Sequence, residues 1–457
     1  MEKYAIILAA GKGTRMKSEL PKVLHKVADK AMLIQVLDNF SALKLDKTFV
    51  VVGFGSNQVL EVLPEHTQWV EQTEQNGTGH AVSMLRPLLS QAYGTTIVGY
   101  GDMPLITKES LSELMDFHEN ENAAVTVLTG ITEKPFGYGR VIRENGQLTR
   151  IVEEKDANSE ERKIQEVNTG VYVFDNHKLF EALLNLKTDN SQGELYLTDV
   201  IEILKNQNEK VLAYPLENFS ESLGVNDRVQ LAEAEKILRM RINKKHMENG
   251  VTLLDPENTY IGAGVDIKSD TIIEGNVTIK GKTSIGHHCL ITSGSRIEDS
   301  IIASRVKIDN STVESSKMDL DSTCGPYAHL RPGTILHEEV HVGNFVEVKA
   351  SSLGRGTKAG HLTYIGDATV GEKVNFGAGT ITANFDGKNK FRTEIDHFAF
   401  IGSSSTLIAP LHIGKNAVVA GGSTITKNVP ENSLSIGRAR QVDKFGLAKK
   451  LPHYKGQ

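Results

Sequence analysis

Glycines and cations cluster directly behind the first apolar run of this chain, in Leu8-Ala9-Ala10-Gly11-Lys12-Gly13-Thr14-Arg15-Met16. Glycine lets a backbone approach phosphate closely, and successive N–H groups can form an anion-binding nest. The stretch has neither the Gly-Lys-Ser/Thr of a Walker loop nor the third glycine of a dinucleotide fingerprint. A phosphate cradle and a plain strand-to-helix turn both remain open. Arg15 and Lys22, the latter in Leu20-Pro21-Lys22, place two cations behind the loop. Cations there would neutralise charge building on a departing pyrophosphate, or they are solvated surface groups. Asp102 follows another apolar run, in Tyr100-Gly101-Asp102-Met103-Pro104. Open α/β sheets bind ligands at such strand ends, and Mg²⁺ takes one or two carboxylates together with phosphate oxygens. Asp is also a common turn residue.

A second set of reactive residues lies far along the chain: Arg331, Lys349 and Gly360-His361-Leu362-Thr363-Tyr364. Acylating an amine requires a base, and His is the side chain best matched to neutral pH. A lone His is more often structural or solvent-facing. Arg331 and Lys349 stand about two coils and one coil before His361 on the repeat described below, and such cations suit a phosphate dianion. Asn375-Phe376-Gly377-Ala378-Gly379-Thr380 and the polar run from Asn384 to Lys390 follow. The latter breaks the repeat and reads as a protruding loop, with or without chemistry.

The elements that must position these residues differ between the halves. Apolar β-rich runs at 4–9, 48–52, 95–100, 124–129 and 170–174 alternate with helical patterns, 23–40 reading as mostly helix. That predicts α/β layers with a largely parallel, Rossmann-like sheet. From residue 251 onward, aliphatic residues recur every six positions: Ile261, Ile267, Ile273, Ile279, Ile285, Ile291 and Ile297. After a disturbed stretch the period returns at Leu330, Leu336, Val342 and Val348, and again from Ile401 to Ile425. A six-residue repeat is the signature of a parallel β-helix. Between the halves, 227–249 reads as one helix, with Asn226 as a candidate N-cap and Gly250 as its C′ residue. Its length would be roughly 34 Å at 1.5 Å per residue. The expected domains are 1–226, a helical linker over 227–250, and 251–457.

Composition narrows the class. With 457 residues, 39% hydrophobic and 24% charged, the chain is a folded protein of two or three domains. Its 51 basic and 57 acidic residues are dispersed, which gives no support to a nucleic-acid partner. The two cysteines, Cys289 and Cys324, fit no metal or redox spacing and suit a reducing compartment. The apolar run at 5–10 is too short for a signal or a membrane span, so the expectation is a cytoplasmic protein without membrane association.

Together, Leu-Ala-Ala-Gly-x-Gly-Thr-Arg-Met, Leu-Pro-Lys, Gly77-Thr78-Gly79-His80-Ala81 and Gly-Asp-x-Pro resemble the sugar nucleotidyltransferases. The hexapeptide half narrows the resemblance to the bifunctional N-acetylglucosamine-1-phosphate uridylyltransferases/glucosamine-1-phosphate N-acetyltransferases, over essentially the whole chain. That family implies acetylation of glucosamine-1-phosphate by acetyl-CoA, then uridylyl transfer from UTP to N-acetylglucosamine-1-phosphate with Mg²⁺. Leu8, Ala9, Ala10 and Gly11, with Gln72, Gly77 and Thr78, would hold uracil and ribose. Gly139, Glu153 and Asn168 would bind the sugar, and Arg15 and Lys22 would act on the phosphates. Asp102 and Asn226 would ligate Mg²⁺, a role that competes with Asn226 as helix cap. His361 would be the general base, with Arg331, Lys349, Tyr364, Asn375 and Lys390 binding glucosamine-1-phosphate. Ala378, Asn384, Phe385, Ser403, Gly421 and Arg438 would contact acetyl-CoA. Phe385 stands where relatives often carry Tyr, and Gly421 where some carry Ala. The likeness also implies a left-handed β-helix and a homotrimer. Two other readings compete: a nucleotidyltransferase with a purely structural, oligomerising β-helix, and a non-catalytic sugar-nucleotide sensor. A structural solenoid has no need of the cluster around His361, and Asp102 with Asn226 weighs against a sensor.

Overall fold

The computed structural model describes residues 2–452. Met1 and 453–457, at the ends of the expected domains, lie outside the described residues. The chain divides into two compact units, and the partition falls between Arg239 and Met240.

The first unit is built on a mostly parallel sheet. Across it the strands run Val211–Pro215, Val125–Ile131, Glu166–Asp175, Gly94–Tyr100, Glu2–Leu8, Lys47–Val52 and Gln68–Glu71. Glu2–Leu8 pairs in parallel with both neighbours, Leu8 lying opposite Val51 and Tyr100. The loops after Leu8 and Tyr100 therefore leave the same edge of the sheet, the edge where ligands bind in such folds. Glu166–Asp175 runs antiparallel to its neighbours, and its register slips between Asn168 and Tyr172. Gly170 permits that bulge: it has φ +91°, and a Cβ there would come within 2.8 Å of the Tyr100 ring.

One sequence expectation is corrected here. The helix read over 23–40 is confined to Met32–Ser41. Before it come a 3₁₀ turn at Lys22–Leu24 and a hairpin pairing Lys26–Val27 with Lys30–Ala31. Ala28 and Asp29 both have positive φ, which two-residue hairpins require, and the helical spacing of apolar residues conceals the turn.

The second unit is a left-handed parallel β-helix, with three sheets of 11, 10 and 9 short strands. Each aliphatic of the repeat points inward, and Ile273, Ile279, Ile291 and Ile297 are fully buried. Each such burial is worth about 1.5–3 kcal/mol, and every coil caps the interior of the one before. The stretch that disturbs the sequence period does not interrupt the coil. Ile302, Ile308, Val313, Met318 and Cys324 continue the buried column at 0–2% exposure. Only the spacing contracts: Ile297 pairs with Val313 and Ile302 with Met318, so turns lose a residue while the interior stays in register. Cys324 is therefore an interior packing residue.

The joining helix spans Arg228–Glu248. Its N-terminal half belongs to the first unit, where Glu235 Oε2 accepts the Ala28 N–H at 2.6 Å. Its C-terminal half belongs to the second, where Asn243 Nδ2 donates to the carbonyls of Pro256 and Thr259 at 2.7 and 2.9 Å. Gly250, with φ +88°, ends the helix as the sequence predicts.

Candidate active sites

Two adjoining clefts open at the carboxyl edge of the first sheet. One, of about 370 Å³, is lined by Leu8, Ala9, Ala10, Gly11, Lys22, Gln72, Gly77, Thr78 and Asp102 among others. The second, of about 470 Å³, is lined by Arg15, Gly139, Glu153 and Asn168. Tyr100, Asp102 and Asn226 line both. Every residue expected at the nucleotide end thus faces one of the two clefts, and the two expected metal ligands sit where the clefts meet.

Local structure explains how each residue arrives. Gly13 has φ +59°, and a Cβ there would lie 2.6 Å from Lys22 Cβ, so glycine lets the loop close over Lys22. Gln72 is buried, and its amide donates to the Gly77 carbonyl at 3.1 Å. Gly77, at φ +102°, turns the chain where a Cβ would strike the Leu195 carbonyl at 2.5 Å. Thr78 Oγ1 accepts the Leu197 N–H at 3.0 Å. In the second cleft the bulge engages Asn168 at both ends: Oδ1 accepts the Gly170 N–H at 3.0 Å and Nδ2 donates to the Tyr172 hydroxyl at 2.6 Å. Glu153 accepts from Thr198 Oγ1 at 3.2 Å, and burial pushes its carboxyl above the ordinary carboxylate range. Burial also holds the Tyr100 phenol protonated.

The junction has the chemistry of a cation site. Lys22 Nζ pairs with the Asp102 carboxylate and donates to Asn226 Oδ1 at 3.0 Å, so one positive charge already bridges the two oxygens. A carboxylate and an amide oxygen are hard donors suited to Mg²⁺, whose remaining positions phosphate and water fill. No group of three or more His, Cys, Asp or Glu side chains suited to a metal occurs among the described residues. A site completed by substrate oxygens needs no such group. The reading of Asn226 as helix cap is corrected: Asp227 caps the helix, its Oδ1 accepting the N–H groups of Val229 and Gln230 at 2.9 Å each. Asn226 Oδ1 is thereby left to face Lys22.

In the β-helix, register assembles the second site. Asn344 pairs with His361, and the ladder continues from the Gly379 N–H to the Leu362 carbonyl and from the Ser404 N–H to that of Ala378. The Gly422 N–H then meets the Ser403 carbonyl. His361, Ala378, Ser403 and Gly421 consequently occupy one corner of successive coils. Around that corner, Leu330 pairs with Val348, which stacks Arg331 beside Lys349. Arg331 donates to Glu347 Oε1 at 2.8 Å. Lys349 meets Lys390, and this neighbouring ammonium holds Lys349 below its ordinary range. Arg331, Lys349 and Lys390 gather three cations beside the carboxylates of Glu347 and Asp367, an arrangement suited to an anion. Tyr364 lies one coil beyond Glu347, and Asn375 one coil beyond Lys358. Lys390 is carried by a hairpin in which it pairs with Phe385, which is exposed, while the Asn384 amide is held by Asp367. Arg438 is exposed and follows Gly422 along the column, its Cδ 3.8 Å from a Cβ placed there.

His361 is itself exposed, and its Nδ1 lies 2.8 Å from Asn344 Oδ1. Since Oδ1 can only accept, Nδ1 carries the proton and Nε2 is the basic nitrogen. Sequence reasoning missed Asn344 because a strict six-residue period, eighteen per coil, would set residue 343 beside 361. Here the coil is seventeen residues long. Tyr100, Gln75 and Thr198 were missed too. Gln75 holds the Ala10 carbonyl at 2.7 Å, a contact across the cleft that no local pattern announces.

Residues 5–198 match the MobA-like NTP transferase domain, and residues 256–353 match the GMPPB C-terminal domain. A crystal structure of UDP-glucose pyrophosphorylase complexed with UDP-glucose covers 53% of this chain and 100% of its own, at TM-score 0.42 and 18% identity. The bifunctional protein GlmU of Lactococcus lactis subsp. lactis (strain IL1403) is 62% identical over 458 residues, covering 100% of both chains. The protein of the same name from Streptococcus thermophilus (strain ATCC BAA-491 / LMD-9) is 57% identical over 100% of both chains. Identity of this degree along the full length is decisive: the chain belongs to the GlmU family of bifunctional proteins.

Proposed function

We propose that the chain makes UDP-N-acetylglucosamine, a precursor of peptidoglycan and other envelope polymers, in two steps. The second unit acetylates glucosamine-1-phosphate with acetyl-CoA, and the first transfers UMP from UTP to N-acetylglucosamine-1-phosphate, releasing pyrophosphate. One observation carries the reading: two complete constellations, each suited to one step, stand on separate units. We assign 1–226 to uridylyl transfer, 227–250 to the linker and 251–457 to acetyl transfer.

For uridylyl transfer, the 370 Å³ cleft takes the nucleotide and the 470 Å³ cleft takes the sugar phosphate. The reacting α-phosphorus then lies at their junction. The sugar-phosphate oxygen is already ionised at neutral pH, so no general base is needed, and positioning with charge neutralisation carries the rate. Asp102 and Asn226 would hold Mg²⁺, which would supply neutralisation of phosphate charge. Lys22 and Arg15 serve the phosphates from the two clefts. Glu153 and Asn168 face the sugar.

For acetyl transfer, His361 Nε2 takes the proton of the substrate amine as its nitrogen attacks the thioester carbonyl. A backbone N–H of the Ala378–Ser403–Gly421 corner stabilises the oxyanion, and the imidazolium returns the proton to the departing CoA thiolate. Arg331, Lys349 and Lys390 hold the phosphate, with Tyr364 and Asn375 beside them. Asn384, Phe385 and Arg438 extend the CoA surface. This site is an open surface on one chain, which supports a homotrimer in which a neighbouring copy covers it. Among the described residues, no helix is long and apolar enough to cross a membrane. A cytoplasmic enzyme with small-molecule partners fits both reactions.

The test is to incubate the protein with glucosamine-1-phosphate, acetyl-CoA, UTP and Mg²⁺ and identify products by mass spectrometry. UDP-N-acetylglucosamine is expected. Omitting UTP should stop the reaction at N-acetylglucosamine-1-phosphate. A UDP-sugar formed only from pre-acetylated sugar would favour a purely structural β-helix.

A further inference from the structure

The apolar and aromatic side chains lining the second cleft include Met103, Tyr100 and Tyr138, but Phe136 alone among them is a large hydrophobic residue standing in solvent. Phe136 lines the cleft beside Gly139, Glu153 and Asn168, yet is 84% exposed. Single exposed hydrophobic residues are common and need no function. Phe136 differs because its backbone is pinned. The Tyr138 N–H returns to the Pro135 carbonyl at 3.2 Å, and the Gly137 N–H donates to Glu154 Oε2 at 3.0 Å. Glu154 is in turn paired at 2.7 Å with Arg140, whose side chain is 2% exposed. An ion pair between buried Arg140 and half-buried Glu154 therefore fixes the turn that presents a solvated phenyl ring at the mouth of a hydrogen-bonding cleft.

We infer that Phe136 is a substrate-binding residue that covers an apolar face of the acetylated hexosamine, sugar ring or acetamido methyl. The inference rests on the uridylyl-transfer reading of the same cleft. A sugar presents hydroxyls at its rim and C–H groups on its faces. Glu153 and Asn168 answer the first, and only an apolar or aromatic surface answers the second. The ring is solvated in the free protein, so covering it favours binding, while its removal disturbs no core.

The experiment is steady-state uridylyl transfer by the full chain with Mg²⁺, varying each substrate in turn, for wild type, Phe136→Ala and Phe136→Tyr. Expected for Phe136→Ala is a rise of about tenfold in KM for N-acetylglucosamine-1-phosphate. Its KM for UTP, its kcat and its acetyl transfer should stay within twofold of wild type, and Phe136→Tyr should restore the sugar KM. An unchanged sugar KM, or an equal rise for UTP, overturns the inference while leaving wild-type turnover in place. A wild type that forms no UDP-sugar overturns the functional reading and this inference with it.

Discussion

In the first unit, the side chains that line the candidate site come from segments scattered between Leu8 and Asn226 and converge on two clefts. In the β-helix they stand on neighbouring coils of one repeating scaffold and face outward, His361 and Arg438 in the open. The α/β unit gathers distant residues by ending its strands at one edge, and burial then shifts their acidity, as at Glu153 and Tyr100. The β-helix gathers residues by stacking. Its site gathers cations, and the neighbouring Lys390 is the largest cause that lowers Lys349. An enclosed site can be fully formed within one chain. An exposed one gains its dry, low-dielectric surroundings only when something covers it.

The sharpest way to break this comparison is to remove the reacting group on one side alone. His361→Ala should lower acetyl-transfer kcat/KM about a thousandfold, the range for a general base, with uridylyl transfer unchanged. Asp102→Asn should do the reverse, costing uridylyl transfer roughly a hundredfold, and chelation should likewise stop that reaction alone. Either substitution depressing both activities equally in a folded protein would mean that the sites are not independent.

A third prediction concerns burial in the first unit. His118, 4% exposed and hydrogen-bonded to Thr126, has its pKa lowered by desolvation to about 4 from 6.5. The folded value lies below the unfolded one, so its contribution is complete above pH 6.5 and is lost as pH falls towards 4. About 2 kcal/mol should be gone by pH 5. Urea unfolding at pH 7 and pH 5 would measure this, and His118→Gln should flatten the difference. A variant as acid-sensitive as wild type would remove His118 from the explanation. The smallest expected effect is at Asn344. Asn344→Ala should reduce acetyl transfer about tenfold, because the imidazole loses the partner that orients it. An unchanged rate in the folded variant would remove Asn344 from the site.

Much of this was legible along the chain. The six-residue aliphatic period announced a β-helix because its interior admits little else. The glycines, cations and Asp102 marked a candidate phosphate site, but their local pattern left a plain turn equally open, and the family resemblance carried the choice. Local spacing alone misread 23–40, where helical periodicity hides a hairpin at Ala28 and Asp29. It also saw a break near Ile302, where only the turns shorten.

What the linear chain determined, then, is the inventory: two kinds of scaffold and the groups each carries, because periodicity and side-chain chemistry are local properties. Tertiary structure decided the pairings. It put the cap on Asp227 and left Asn226 to Lys22, set Asn344 behind His361 through a seventeen-residue coil, and brought Lys390 against Lys349. Those outcomes depend on register and on distances between residues remote in sequence, which no window of neighbours contains.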